Sequence, residues 1–379
     1  MRSVEDIPVL DNVPVFVRAS LNVPIKDGKV ANTYRLKHAL PTIKFLQKEK
    51  ARVIIGSHIG EKGTETLRPV YEALKEMIRG VEFCPVSTGP EARKAIRALP
   101  AGGVLVLENL RRHRGEVHNS VVFARELAEL ADVFVEDSFD TCHREHASIV
   151  TLPTLLPAYA GLQLIEEVTQ LTKALKPKKP SLAVIGGAKF GTKEPVVKKL
   201  LSLYTHVFIG GALANDFLKA GGHPVGKSLI SGIDEKEIQK LLKDKHLALP
   251  VDSLVVTAGK AQKPSSARVA SLDGVQADEI MLDHGPKTIE ELKLLVKKAK
   301  TILWNGPLGD YELGFVESTD ALATAIAKSG ADSYLGGGDT EAAIAALRLN
   351  KRFSFVSTGG GAMLDFLAKG TLPGIKVLR

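Results

Sequence analysis

VIIGSHIGEKG, residues 53–63, decides how the rest of the chain is read. An apolar run, Val53 to Ile55, halts at Gly56 and gives way to a loop holding His58, Gly60, Glu61, Lys62 and Gly63. A strand that ends in a glycine-punctuated polar loop is the unit from which open α/β folds build their sites. The same grammar recurs along the chain. VPVFVRASL, GVLVLENL and ADVFVEDSF share the first half with it, and SLAVIGGAK, HVFIGG, DSLVVTAG, TILWNGP, SYLGGGDT and FSFVSTGGGA fill the second. Between them lie segments of helical periodicity, TYRLKHALPTIKFLQKE, VVFARELAELA, TIEELKLLVKKAK and STDALATAIAKS.

Near-continuous apolar runs predict strands buried on both faces. Strand alternating with helix predicts an α/β fold with parallel, doubly wound sheets. In the second half most strands end in glycines, which stacks a row of loops on one sheet edge, where ligands bind. The length of 379 residues exceeds one ordinary core and suits two domains. Residues 156–180, LPAYAGLQLIEEVTQLTKALKPKKP, read as a helix followed by a Lys/Pro-rich breaker. With no Ser/Gly run, this connection is expected to be a stiff helix.

Hydrophobic content of 44% and charged content of 25% belong to a soluble globular protein. The net charge of +8 suggests anionic partners: phosphorylated metabolites, nucleotides or nucleic acid. Aromatic residues make up only 5%, and no basic run interleaves with them, which argues against a single-strand stacking platform. No DNA-binding motif is present. Cys84 and Cys142 have no metal-type spacing and are expected to be free thiols in a reducing cytoplasm. MRSVEDIPVLDN lacks the apolar core of a signal peptide, and no apolar stretch is long enough to span a bilayer.

Two loops carry phosphate chemistry. GGGDT, 336–340, lies between the strand DSYL and the helix EAAIAALRL. Its glycines allow close backbone approach, the helix N-terminus offers free N–H groups, and Asp339 suits Mg²⁺. Equally, Asp339 or Thr340 could simply cap the helix. SLAVIGGAKFGTK, 181–193, sets Lys189 and Lys193 four apart after paired glycines, suited to a transferring phosphoryl group or to a solvated basic face. GGHPVGKS, 221–228, matches the phosphate-loop pattern G-x-x-x-x-G-K-[ST] letter for letter. A helical segment precedes it and Pro224 interrupts it, so it is read as a helix C-cap at Gly221 or Gly222. In the first half Arg18, Arg35, His58, Arg111, His143, Arg144 and His146 gather near strand ends. Together they suggest a pocket for a phosphate plus a carboxylate, which Arg reads bidentately.

With these motifs in hand, the chain resembles the phosphoglycerate kinase family almost end to end. RASLNVP, SHIGEKG, LENLRRH, VEDSFDTCHREH, GGAKFGTK, LDHGPKT, WNGPLGDYE, GGGDT and VSTGGGA follow the family's signatures in order. The resemblance implies two Rossmann-like domains: an N-terminal triose-phosphate domain over 1–158, a connecting helix over 159–178 and a nucleotide domain over 179–361. The tail, 362–379, would return to the N-terminal domain. It implies reversible transfer of a phosphoryl group between 1,3-bisphosphoglycerate with ADP and 3-phosphoglycerate with ATP, with Mg²⁺, in a cytoplasmic monomer of glycolysis. Neither nucleic acid nor membrane would be a partner. The triose-phosphate site would be Arg18, Asn22, Arg35, His58, Arg111 and Arg144. The nucleotide side would be Lys189, Lys193, Gly210, Gly285, Asn305, Pro307, Glu312, Gly338, Asp339 and Thr340. Arg35, Lys189 and Lys193 would be catalytic, Asp339 would serve the metal, and Glu312 would meet the ribose. The acceptor, a carboxylate, is ionised at neutral pH, so no general base is required. Closure of two domains would exclude water.

Several positions depart from the family pattern. Glu61 stands where Arg is expected, Ser20 for Asp, Glu136 for Asn, Asp140 for Gly, Thr192 for Asp, and Asp310 for an apolar residue. A carboxylate about 5 Å from an anionic ligand costs roughly 3 kcal/mol at an effective dielectric of about 20. Lys62, Arg112 or Arg114 could compensate. The alternatives are a paralogue that binds nucleotide but has lost or changed its triose substrate, a non-catalytic binder using the basic cleft, and a phosphate-loop NTPase.

Overall fold

The computed structural model describes residues 1–188, 191, 193–232, 235–259 and 262–378. The chain divides into two compact units, Met1–Thr169 with Thr371–Arg379, and Gln170–Gly370. The helix Leu162–Ala174 starts in the first and ends in the second. The helix Gly361–Lys369 belongs to the second unit, and the chain from Thr371 onward to the first.

The first unit contains β1 (Pro14–Ala19), a small hairpin of β2 (Ile25–Lys26) and β3 (Lys29–Val30), then β4 (Arg52–Gly56), β5 (Val81–Phe83), β6 (Val104–Val106), β7 (Val133–Asp137) and β8 (Ala158–Ala160). Six of these form one sheet in the order β5-β6-β4-β1-β7-β8, and every pairing is parallel. The chain reverses direction across the sheet between β1 and β7, which puts the crevice at the ends of those strands. β1, β4, β6 and β7 are buried along almost their whole length, as strands with helices on both faces must be. Asp137, at the end of β7, accepts from the N–H groups of Gln163 and Leu164 at 3.0 and 3.1 Å and so caps the first turn of Leu162–Ala174.

The second unit contains β9 (Ser181–Ile185), β10 (His206–Ile209), β11 (Leu247–Ala248), β12 (Asp252–Thr257), β13 (Arg268–Ser271), β14 (Glu279–His284), β15 (Thr301–Asn305), β16 (Asp332–Gly336) and β17 (Phe355–Ser357). Its parallel sheet runs β11-β10-β9-β15-β16-β17, which is the 3-2-1-4-5-6 order of dinucleotide-binding folds. The switch point lies between β9 and β15. The sequence reading treated DSLVVTAG like its neighbours in the parallel array. β12 instead forms the centre of an antiparallel sheet with β13 and β14. Its residues Val255, with Ala270 of β13 and Met281 of β14, pack on Leu218 of the helix Leu213–Ala220.

GGHPVGKS ends that helix. Gly221 is the C-cap and Gly222 has φ +88°. His223 N–H reaches back to Leu218 O, and Gly222 N–H to Lys219 O, both at 3.0 Å, which is the Schellman pattern. The phosphate-loop reading fails because the glycines close a helix here and do not open one. No helix among the described residues is long and apolar enough to cross a membrane.

At the switch point the backbone is crowded. Gly211 has φ +62°, and a Cβ there would lie 2.7 Å from Gly187 N and 2.9 Å from Pro307 O. A Cβ on Gly306, at φ +94°, would fall 2.7 Å from the Gly186 carbonyl. Gly211→Ala is therefore expected to cost roughly 1–3 kcal/mol of stability through strain at positive φ. Gly338→Ala, where a Cβ meets nothing within 4 Å, should lie within about 0.5 kcal/mol of the wild type. Urea unfolding followed by the fluorescence of the single, fully buried Trp304 reads both.

Candidate active sites in the two units

In the first unit, Arg18 is wholly buried near the end of β1, and each of its guanidinium nitrogens has a partner. Nε donates to Ser148 Oγ at 2.9 Å, one terminal nitrogen to Ala19 O at 2.9 Å, and the other to His58 Nδ1 at 3.2 Å. His58 Nδ1 is thus an acceptor, and the ring proton sits on Nε2. Burial, followed by Arg18, Arg111 and Arg35, drives the His58 pKa well below its usual value, so the ring is neutral. Arg35, at the start of the helix Tyr34–Lys48, donates to Asn22 O at 2.9 Å and pairs with Asp140 at 3.1 Å. Arg111 donates to Gly60 O at 2.8 Å, and its half-buried guanidinium has its pKa lowered by burial and then by Arg18. Arg144 is exposed, yet near enough that its charge depresses Arg111 and His146. Asn22, Arg35, His58 and Arg111 therefore converge, with Arg18 behind them and Arg144 outermost.

The loop quoted at the outset is held by its backbone. Gly60 N–H donates to Asn22 Oδ1 at 3.0 Å, and Gly63, at φ +72°, packs on the Arg111 carbonyl. Glu61 and Lys62 are both exposed. Solvent screens the Glu61 carboxylate, which weakens the repulsion expected from its type alone. Arg112 pairs with Glu108 at 3.1 Å and so is committed elsewhere, while Arg114 is exposed.

Three further departures from the family pattern, Ser20, Glu136 and Asp140, are buried. Ser20 is enclosed, and its hydroxyl has no protein partner. Glu136 lies beside Arg18 in the β1/β7 register and accepts from Ser138 N–H and Oγ at 2.9 and 2.5 Å. Burial pushes its carboxyl up to about 8, against the pull of Arg18, so near pH 7 it is largely protonated. The sequence reading missed the layer behind these groups. Glu116, fully buried, accepts from Ser148 N–H at 3.0 Å and Ser148 Oγ at 2.6 Å, and Ser148 in turn holds Arg18. A lone Glu in RRHRGEV looks like one charge among many, and only its burial marks it.

In the second unit a cleft of about 490 Å³ opens where the glycine loops meet. Gly187, Gly211, Pro307, Glu312 and Asp339 line it, with Leu218, Leu229, Met281 and Leu308 as apolar wall. Much of that wall is the antiparallel sheet and its supporting helix. Gly210 is buried directly behind Gly211, and Gly285 caps the helix Pro286–Lys298 at the end of β14. Asn305 is buried, and Thr340 Oγ1 accepts from Gly306 N–H at 2.9 Å, so Thr340 braces the loop after β15. Glu312, Gly338 and Asp339 are exposed. Lys193 donates from Nζ to Gly186 O. Burial lowers its pKa to about 8, partly offset by Asp339, whose field therefore reaches it. Lys189 and Thr192 lie outside the described residues.

For Mg²⁺ the fit is that of an ion carried by its substrate. Among the described residues no cluster of three or more His, Cys, Asp or Glu exists. Mg²⁺ keeps several waters and binds through one or two carboxylates plus substrate phosphates, and one exposed Asp339 in the first turn of the helix Gly338–Ala346 suits that mode.

A buried guanidinium pocket in one doubly wound unit, and a nucleotide-sized cleft at the switch point of the other, define an enzyme that handles phosphorylated small molecules. The chain belongs to the phosphoglycerate kinase family, whose sequence profile matches residues 4–370. It is 40% identical to phosphoglycerate kinase of Leptospira biflexa, over 96% of this chain and 95% of that one. It is 41% identical to that of Xanthobacter flavus, over 100% and 99%. The structure of phosphoglycerate kinase from Coxiella burnetii matches with a TM-score of 0.83 at 39% identity, covering 99% of this chain and 97% of that one. That from Pyrococcus horikoshii matches with 0.88 at 31%, covering 100% and 98%. The protein is thus a kinase of glycolysis, and the two-unit parallel α/β architecture expected from the sequence is the observed one.

The buried carboxyl of Glu136 gives a signed pH prediction. Its folded-state pKa, about 8, exceeds the ordinary 4.5, so the folded protein holds a proton that the unfolded chain has released. Its contribution to stability therefore falls as pH rises from about 4.5 to about 8. Glu136→Gln keeps an acceptor for Ser138 and removes this loss. The stability gap should move in favour of Gln as urea unfolding is repeated from about pH 5 to about pH 9, and a constant gap would contradict the assignment.

Proposed function

We propose that this kinase transfers a phosphoryl group reversibly from the acyl phosphate of 1,3-bisphosphoglycerate to ADP, giving 3-phosphoglycerate, with its carboxylate freed, and ATP. The observation that carries the reading is the convergence of Asn22, Arg35, His58 and Arg111 around buried Arg18. It offers cationic forks and a neutral His donor to a small ligand bearing both phosphate and carboxylate. Its own carboxylates offset this charge only in part: Glu136 is largely protonated near pH 7, Asp140 pairs with Arg35, and Glu116 and Asp140 counter some of the charge at Arg111. The second unit would take the nucleotide in its cleft, with Glu312 toward the ribose, Gly210, Gly285, Asn305, Pro307, Gly338 and Thr340 shaping the walls, and Asp339 toward Mg²⁺.

A carboxylate acceptor needs no base, so these side chains position the reactants and neutralise charge. Arg35 would face the transferring phosphoryl group from the triose side, and Lys189 and Lys193 from the nucleotide side. Lys193 lies close to its titration point at neutral pH, and an arriving polyphosphate would hold it as the ammonium. Mg²⁺, when bound with the nucleotide, neutralises phosphate charge. The reading further proposes a cytoplasmic monomer, acting on small molecules and on neither nucleic acid nor membrane.

The test is oxidation of NADH in an assay with 3-phosphoglycerate, Mg-ATP and glyceraldehyde-3-phosphate dehydrogenase. Turnover should vanish in Lys189→Ala and fall roughly a hundredfold or more in Lys193→Ala. Lys227→Ala, in the sequence that imitates a phosphate loop, should leave it unchanged. Absence of turnover with Mg-ADP binding retained would overturn the triose-phosphate reading and favour a protein that binds nucleotide only.

A further inference from the structure

Three glycine loops meet behind the cleft of the second unit, and one imidazole joins them. Gly211 N–H donates to His284 Nε2 at 3.0 Å. A ring nitrogen that accepts carries no proton, so the proton of the neutral ring is on Nδ1. That Nδ1 is buried and has no hydrogen-bond partner. A buried donor left unpaired is costly, and an apolar side chain would avoid the cost. What the imidazole supplies in return is the acceptor for Gly211. The packing leaves it little freedom: Phe208 meets the ring edge-on with centroids 5.7 Å apart, and a Cβ on Gly210 would lie 2.9 Å from Nε2.

The turn that His284 holds is tied to the rest of the cleft floor. Leu213 N–H donates to Gly187 O at 2.8 Å, Gly187 N–H to Pro307 O at 2.9 Å, and Gly186 N–H to Asn305 O at 2.9 Å. Lys193 Nζ ends the chain on Gly186 O. His284 thus anchors one end of a continuous hydrogen-bonded path that runs through all three loops to a lysine proposed for phosphate.

We infer that His284 is a positioning residue for the nucleotide, its Nε2 fixing the Gly210–Gly211 turn and, through it, the Gly186–Gly187 and Gly306–Pro307 loops. The inference rests on the nucleotide reading of this cleft. Burial lowers the ring's pKa to about 4, so the acceptor persists throughout the neutral range and the effect of losing it should not change there with pH.

Two amides separate position from bulk. The end of a Gln side chain reaches where Nε2 sits and can accept from Gly211, whereas Asn reaches only as far as Nδ1. His284→Gln should keep the KM for Mg-ATP within about threefold of wild type. His284→Asn and His284→Phe should raise it roughly tenfold, the scale of one hydrogen bond lost, with the KM for 3-phosphoglycerate little changed. The rise should be the same at about pH 6 and about pH 8. Calorimetric Kd values for Mg-ADP should follow the same order, and they decide the matter if a variant turns over too slowly. If the Phe protein does not fold, the Gln and Asn pair decides alone. Equal nucleotide affinity in Gln and Asn, or a parallel rise in both KM values, would overturn the inference. A wild type that neither turns over nor binds Mg-ADP would instead overturn the nucleotide reading beneath it.

Discussion

The close approach of backbone to backbone at the switch point of the second unit governs what the rest of that unit can do. β9 and β15 are neighbours in a parallel sheet, and the loops leaving them stay in contact beyond the strand ends, Gly186 N–H donating to Asn305 O and Gly187 N–H to Pro307 O. They do so because Gly186 and Gly306 carry no side chain to meet the facing backbone. Gly211 brings a third loop into the same space at positive φ. Once these loops touch, their N–H and C=O groups satisfy one another, and Gly187 and Gly211 present bare peptide at the floor of the cleft in front of them. The apolar wall, Thr340 behind Gly306, and Lys193 on Gly186 O are all arranged around that floor.

The first unit solves a different problem, holding one buried guanidinium group and several partly exposed ones close together. Three devices make it tolerable. Arg18 spends its donors on Ser148, Ala19 O and His58. Arg35 is balanced by Asp140. His58 and His146, the latter depressed to about 4 chiefly by burial, add no charge of their own. Three first-unit residues that depart from the family pattern sit within this scheme. Asp140 is an ionic partner, Glu136 a mostly neutral hydrogen-bond acceptor, and Glu61 a solvated charge on a loop held by its main chain.

Residue type and spacing made much of this legible. Unbroken apolar runs such as VIIG and SLAVI, alternating with helical segments, read as strands covered on both faces, and the glycine endings of the second half marked the working edge of that sheet. The antiparallel sheet was not legible. DSLVVT has the composition of a buried parallel strand, and its partners RVAS and EIMLDH are too short or too polar to reveal a pairing that is set by tertiary packing on Leu218. Among site residues, the Arg and His groups were visible by type. Glu116, Ser148 and His284 were not singled out, because their importance lies in burial and in hydrogen-bond direction, neither of which a sequence displays. Glu61 was misleading for the same reason: its charge could be read, its exposure could not.

The Schellman turn at Gly221–His223 has a consequence for how sequence patterns carry physical meaning. A phosphate loop works because its glycines precede a helix, so the ligand meets N–H groups and the positive end of the helix dipole. Here the same letters follow a helix. The nearest peptide groups of the helix Leu213–Ala220 present carbonyl oxygens, and the dipole's negative end faces the glycines. An anion brought to GGHPVGKS would meet the wrong pole. A string of one-letter codes has no electrical polarity, and only the direction in which the helix runs supplies it.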